Sequence, residues 1–177
     1  MTYLLDGQES QRLQFRKIIN SDYDKWLEFF RTPKTSEHWI YEKSTPEIEC
    51  ENWYQNQFRK YMKNEGGMNA LIDKESNELV GHCGLQVLRV DDILEVEIGY
   101  SLLPTFWNKG YAAEAAKKCR DYAFENNLSK SLISIISLTN IASQKVAVNI
   151  GMTIDKTTLF EANKVNIFRV YSPKLFD

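Results

Sequence analysis

The chain has 177 residues, 43% of them hydrophobic, and 24 acidic against 22 basic side chains give a formal net charge of -2. This length suffices for one domain, residues 1–177, that buries a core without disulfide bonds. The balanced charge excludes a basic surface field for nucleic acid, and no segment has the apolar length of a membrane span, so we predict a cytoplasmic protein.

The first part of the chain predicts one strand followed by two helices. Polar and apolar side chains alternate through residues 12–18, which is the period of a half-buried strand. Ser21 begins a capping pattern for an aromatic-rich helix that ends before Pro33. Thr45, followed by a proline, predicts the N-cap of a second helix that runs to about Lys63.

Three strands are predicted next, at residues 68–73, 79–90 and 94–102. Side chains two positions apart lie on the same face of a strand, so Glu95 and Glu97 share one face of the third strand.

The last part of the chain predicts two helices that alternate with strands. The predicted segments are a helix at 110–125, a strand at 132–137, a helix at 140–150, and strands at 152–157 and 165–171. The whole order is strand, two helices, three strands, helix, strand, helix and two strands. It predicts an α+β fold with one layered sheet of about seven strands flanked by helices.

The cysteines and histidines do not predict a metal site. Cys50, Cys83 and Cys119 are odd in number and widely spaced, and His38 and His82 are isolated from one another. Neither set has the spacing of zinc ligands. We expect three buried or half-buried thiols in a reducing cytosol and no bound metal.

One segment predicts an anion site. Residues 100–112 lead from a strand through a short loop into a helix whose first turn contains Gly110 and Ala112. The first N–H groups of a helix have no internal partners, and the helix dipole adds positive potential there. A glycine lets an anion approach the main chain, so the segment suits a phosphate or a pyrophosphate.

The sequence around this segment resembles a known family. Glu97-Ile98-Gly99-Tyr100, followed by Trp107-Asn108-Lys109-Gly110-Tyr111-Ala112, resembles the acetyl-CoA motif of the GNAT superfamily, particularly its ribosomal-protein N-terminal (RimJ/RimL-like) acetyltransferase branch. Residues 140–143 and 146–152 are similar to the second cofactor motif of that branch, and residues 11–16 match its layout. The resemblance implies a mixed, mostly antiparallel twisted sheet and acetyl-CoA as co-substrate.

The resemblance also implies the site residues. Those that would contact the cofactor are Tyr100, Ser101, Leu102, Trp107, Asn108, Lys109, Gly110, Tyr111, Ala112, Asn140 and Ser143. Trp107 and Asn108 depart from the usual motif, which matters little because the implied contacts to the phosphates come mainly from the backbone. Ala147 stands where many members have a tyrosine that protonates the leaving thiolate, and the branch resemblance moves that role to Ser143.

The implied reaction is direct acyl transfer from a thioester to an amine, which requires a base to remove a proton from the amine. Glu97 is the first choice for this base and Glu95 the second. The alternative is that either carboxylate only solvates the sheet face. In the same way, Ser143 and Asn140 have the alternative of capping their own helix.

Three functions remain open on the sequence alone. The resemblance favours acetylation of a protein amino terminus, a second possibility is acetylation of a small amine such as a polyamine, an amino acid or an antibiotic, and a third is a catalytically silent acyl-CoA-binding module. A dinucleotide-binding enzyme is disfavoured because the chain lacks the GxGxxG pattern. Monomer and homodimer are equally compatible with the sequence.

Overall fold

The computed structural model describes residues 2–173. It contains seven strands and four α-helices in the predicted order: β1 (Leu13–Arg16), α1 (Tyr23–Arg31), α2 (Pro46–Met62), β2 (Gly66–Asp73), β3 (Leu79–Val90), β4 (Ile93–Leu102), α3 (Tyr111–Glu125), β5 (Ser131–Ser137), α4 (Ile141–Asn149), β6 (Thr153–Phe160) and β7 (Asn163–Tyr171). Short 3-10 turns lie at Asn20–Asp22, Pro33–Thr35 and Pro104–Phe106. None of the helices in the described part of the chain is long and apolar enough to cross a membrane.

The start of the first helix differs from the prediction. Ser21 lies in a 3-10 turn, and α1 begins at Tyr23 without a side-chain cap. The nearby acid, Asp22, is instead engaged outside the helix, because both of its carboxylate oxygens accept from Arg16 at 2.7 Å. The predicted cap at Ser21 is therefore wrong, and the local capping contact lies one turn earlier, where Asp22 also accepts from the Ile19 N–H at 3.2 Å.

The first strand of the central hairpin also begins earlier than predicted, at Gly66. Gly66 has a φ of +75°, and a Cβ on it would lie only 2.1 Å from the carbonyl oxygen of Leu85. Only glycine permits both this backbone conformation and this close approach. Gly66 therefore belongs to the strand.

All seven strands form one sheet in the order β1-β2-β3-β4-β5-β7-β6. Only β4 and β5 are parallel, and within the described residues their pairing consists of the single register pair Glu97 and Ile133. One more contact follows, in which the Ser134 hydroxyl donates to the Ile98 carbonyl at 2.8 Å. The two strands then separate, so the last part of β4 pairs with no described strand on that edge.

The helices cover the two faces of the sheet. On one face, Cys83 of β3 meets Cys119 of α3, with their sulfurs 3.5 Å apart. On the other face, His82 of β3 packs edge-on against Trp26 of α1, with ring centroids 4.2 Å apart. All three thiols, including Cys50, are free and buried, which confirms the prediction of buried or half-buried thiols.

A second core lies on the α1/α2 face of the sheet beyond the point where β4 and β5 meet. It consists of Val90, Ile133, Ile135, Val165 and Ile167, with Trp39, Leu88 and Phe160 packed against it. We call residues 36–41 the crossing segment, because they lie against this core and reach β7. Its backbone is fixed there by Asn163, whose side chain accepts from Ile40 N–H at 2.7 Å and donates to the Ile40 carbonyl at 3.1 Å.

Candidate functional site

Glu97 lies at the point where β4 and β5 meet and then separate. Its side chain is buried, and one carboxylate oxygen accepts from Gln86 Nε2 at 2.6 Å. The other oxygen accepts from the backbone N–H of Ile135 at 3.4 Å. Burial raises the pKa of the Glu97 carboxyl, whereas these hydrogen bonds and the positive charge of Lys60 lower it, and the net shift is upward. A carboxylate with a raised pKa is a better proton acceptor near neutral pH.

Glu95 lies on the same face of β4 but has a different environment. Its two carboxylate oxygens accept from Arg169 Nη1 and Nη2 at 3.0 and 2.7 Å, and both side chains are only about one-tenth exposed, 11% for Glu95 and 12% for Arg169. Arg169 also donates to Asp155 at 2.9 Å. The bidentate pair commits Glu95 to an ion pair that links β4 to β7 across the intervening strand β5. Of the two predicted carboxylates, only Glu97 lacks a direct ion pair with an arginine.

The loop that joins β4 to α3 is fixed by Trp107. The indole N–H of Trp107 donates to the Leu102 carbonyl at 2.8 Å, so this departure from the family motif has a structural role. The Leu102 side chain belongs to the core, which leaves only its backbone for cofactor contact. Ser101, half-buried, pairs across the sheet with His82 and therefore lies on the α1/α2 face.

The start of α3 has the geometry of an anion site. Gly110 occupies the N-cap position with a φ of +81° and no side-chain cap, and Asn108 also has a positive φ, +59°. The nearest atom to a Cβ built on Gly110 would be Arg12 Nη2, at 3.5 Å. The space beside the first turn is therefore open, and Ala112 adds only a methyl group there. These residues fit the pyrophosphate of acetyl-CoA.

Two other large side chains of the motif, Tyr111 and Lys109, contact the residues around the loop. The Tyr111 hydroxyl donates to Asp73 at 2.7 Å, and its ring lies under the Arg12 guanidinium, 4.1 Å from the ring centroid. Lys109 is exposed, with Nζ 5.4 Å from the centroid of the Phe106 ring, and its carbonyl accepts from Arg12. Both residues thus shape the loop, and Lys109 alone among the large side chains of this loop carries a charge that could reach an anion.

The second predicted motif forms the start of α4. The Asn140 side chain accepts from Ser143 N–H at 3.0 Å, which makes Asn140 the N-cap of this helix. The hydroxyl of Tyr100 donates to the Ser143 carbonyl at 2.8 Å and so ties β4 to α4. The Ser143 hydroxyl itself makes no hydrogen bond to any residue of the described range. Burial raises the pKa of Tyr100, which keeps its proton on the hydroxyl.

Sequence reasoning missed three residues of the site. Gln86 stands directly opposite Glu97 in the β3–β4 hairpin, and counting back equally from the turn at residues 91–92 would have found it. Arg12 and Arg169 reach the site from distant parts of the chain, and their side chains contact Lys109 and Glu95 respectively. No local pattern in the sequence signals these two contacts.

Comparison with known proteins identifies the family. The family described as "Acetyltransferase (GNAT) domain" matches residues 12–153. YkkB of Bacillus subtilis, an uncharacterized protein, is 35% identical over 108 residues, and this match covers 60% of each chain. The uncharacterized N-acetyltransferase p20 of Bacillus licheniformis is 27% identical over 122 residues, or 68% of each chain.

Solved structures share the whole fold. The acetyltransferase from Agrobacterium tumefaciens superimposes with a TM-score of 0.79 at 23% identity, covering 97% of both chains. RimL, a ribosomal L7/L12 alpha-N-protein acetyltransferase in complex with coenzyme A, superimposes with a TM-score of 0.73 at 15% identity, covering 93% of this chain and 97% of RimL. The predicted fold, a seven-stranded and mostly antiparallel sheet flanked by helices, is confirmed. The chain therefore belongs to the GNAT acetyltransferase family, and its co-substrate is acetyl-CoA.

Proposed function

We propose that this acetyltransferase transfers the acetyl group to a primary amine, with Glu97 as the base that removes a proton from the amine. The observation that carries the proposal is the position of Glu97. Its carboxylate lies where β4 and β5 separate, on the face that α2 and the crossing segment cover. We assign the activity to one domain, residues 1–177, of a cytoplasmic protein.

The surroundings of Glu97 suit this role. A primary amine is protonated at neutral pH, so it cannot attack until a base takes its proton. Burial raises the pKa of Glu97 and so increases its basicity, while Gln86 keeps one of its oxygens in a fixed direction. Gln86 is in our proposal a positioning residue, since it touches the base and not the reacting atoms.

We propose cofactor contacts at the starts of α3 and α4 and on the edge of β4. When bound, acetyl-CoA supplies an activated acyl group in a thioester. We propose that the amides around Gly110 hold its pyrophosphate and that the unpaired edge of β4, at residues 100–102, supplies backbone donors to the thioester carbonyl. Ser143 lies in the first turn of α4 with a hydroxyl that forms no hydrogen bond to the described residues 2–173, and we propose it as the proton donor to the leaving thiolate.

We further propose that the acceptor is the amino terminus of a protein. At the outer edge of the site, Ile40 is 83% exposed and Tyr41 is 44% exposed, although the backbone of Ile40 is anchored to β7. Exposed apolar side chains on an anchored segment suit contact with a larger partner. RimL, whose fold this chain shares, is named as an acetyltransferase of the ribosomal protein L7/L12, which supports the same acceptor class.

Free-thiol release from acetyl-CoA tests the proposal. The purified protein is incubated with a panel of peptides that differ in their first residues, the same peptides with blocked amino termini, and a set of small amines. We expect thiol release with free peptides, none with blocked peptides, and weaker release with small amines. Release with small amines alone would refute the protein acceptor and favour the small-molecule alternative. Coenzyme A binding without turnover of any acceptor would refute catalysis and favour a silent acyl-CoA-binding module.

A further inference from the structure

The start of α3 carries a negative charge of its own, which an anion site has to offset. Glu114 lies in the first turn of α3, close in sequence to Gly110, and its side chain is 16% exposed. An unpaired carboxylate at this place would repel a pyrophosphate bound at the same helix end.

A segment near the amino terminus, at residues 10–12, neutralises the charge of Glu114. One oxygen of Glu114 accepts from the Ser10 hydroxyl at 2.6 Å and from Arg12 N–H at 2.7 Å, and the other accepts from Arg12 Nε at 2.7 Å. Burial by itself raises the pKa of Glu114, but these hydrogen bonds lower it overall, so the carboxylate stays ionised and paired. The Lys74 ammonium donates to the Ser10 carbonyl at 2.8 Å and so holds the segment in place.

The same guanidinium also holds the loop. Arg12 Nη1 donates to the Lys109 carbonyl at 3.0 Å, directly before Gly110. Its plane stacks on the Tyr111 ring, directly after Gly110. Arg12 Nη2 makes no hydrogen bond to any residue between positions 2 and 173, and it borders the open space beside Gly110. One side chain therefore contacts the residues on both sides of the glycine.

We propose that Arg12 is a positioning residue for the pyrophosphate of acetyl-CoA: its planar fork pairs with Glu114 and holds the Lys109 carbonyl, so that the loop presents its amides to the anion. This inference rests on the proposed cofactor site. It places a determinant of cofactor affinity outside both cofactor motifs, almost one hundred residues before the loop. A lysine cannot replace the fork, because a single ammonium group lacks the fixed geometry that reaches both acceptors.

Calorimetry with coenzyme A and with pantetheine, which lacks the pyrophosphate, tests the inference. We expect Arg12→Met to bind coenzyme A about tenfold more weakly, a loss of about 1.4 kcal/mol, with pantetheine affinity unchanged. Arg12→Lys, which keeps the charge and protects folding, is expected to lose most of the same affinity. Arg31→Met is the matched control, because Arg31 also forms ion pairs, with Glu28 and Glu47, but lies on α1.

The outcomes separate this inference from the cofactor site. Wild-type affinity for coenzyme A in Arg12→Met or Arg12→Lys would overturn the role of Arg12 while leaving the cofactor site intact. Equal losses for coenzyme A and pantetheine would also overturn it, since they would indicate a general loss of structure. Absence of coenzyme A binding by the wild-type protein would overturn both proposals together.

Discussion

Glu95 and Glu97 lie two residues apart on one face of β4, and the structure predicts opposite consequences for their amide substitutions. Glu97→Gln and Glu95→Gln are the same chemical change, so they form a matched pair. The first removes the proposed base, and the second breaks the pair with Arg169. We expect the first to lose activity and the second to lose stability.

For Glu97→Gln we expect kcat/KM to fall by about 10²–10⁴-fold, the usual contribution of a general base. Its effect on stability follows from the pKa shift. Because the folded-state pKa of Glu97 is raised, the stability contributed by its protonated form is present at low pH and is lost as pH rises through that pKa. At pH 8 the glutamine variant should therefore be as stable as wild type or more stable, by about 1.4 kcal/mol for each unit of the shift.

For Glu95→Gln we expect most of the activity to remain. The substitution leaves the Arg169 guanidinium with a single carboxylate partner, Asp155. Removing one partner of a buried ion pair costs about 3–5 kcal/mol, and the remaining partner should bring the loss to about 2–3 kcal/mol. In a chain of this length each kcal/mol lowers Tm by about 2–4 °C.

Urea denaturation at pH 8 and thiol-release kinetics on the same three proteins measure both effects. An activity loss in Glu95→Gln as severe as in Glu97→Gln, with an unfolding free energy at the wild-type value, would refute both assignments. That pattern would make Glu95 the base and the Arg169 pair energetically unimportant.

Three further substitutions test individual contacts. Gln86→Leu removes a hydrogen bond to the ionised form of Glu97, which is worth about 1.5–3 kcal/mol. The acidic limb of the pH profile of kcat/KM should therefore move to higher pH by about 1–2 units. An unmoved limb would exclude Gln86 as a positioning residue. Ser143→Ala should lower kcat by about 10²-fold if its hydroxyl protonates the thiolate, without changing stability, because the helix cap uses its backbone N–H; stopped-flow kinetics with unchanged kcat would exclude this role. In Gly110→Ala the new methyl group meets no atom nearer than 3.5 Å, but the alanine must hold a φ of +81°. Urea denaturation should therefore show a free energy of unfolding lower by about 1–2 kcal/mol. A larger loss would indicate a steric clash instead.

The order of the elements was predictable because the signals for it are local. Alternation, helical periodicity and capping residues act within a few positions, and they placed all seven strands and four helices in the correct order. Thr45 accepts from Ile48 N–H, as the cap pattern predicted, and Asn140 caps α4 in the same way. The predicted start of α1 at Ser21 was wrong because the chain forms a 3-10 turn there, which Asp22 connects to Ile19 and Arg16.

The sequence by itself determined the starts of α3 and α4, the two carboxylates of β4 and the position of Gly110 at the start of α3, since each depends on neighbouring residues. Only the tertiary structure distinguished Glu97 from Glu95, because the difference lies in Arg169, which comes from β7. It likewise brought Arg12 to Glu114 across the fold. Burial and charge pairing depend on which strands become neighbours, and the long-range packing of the sheet, rather than any short motif, decides that.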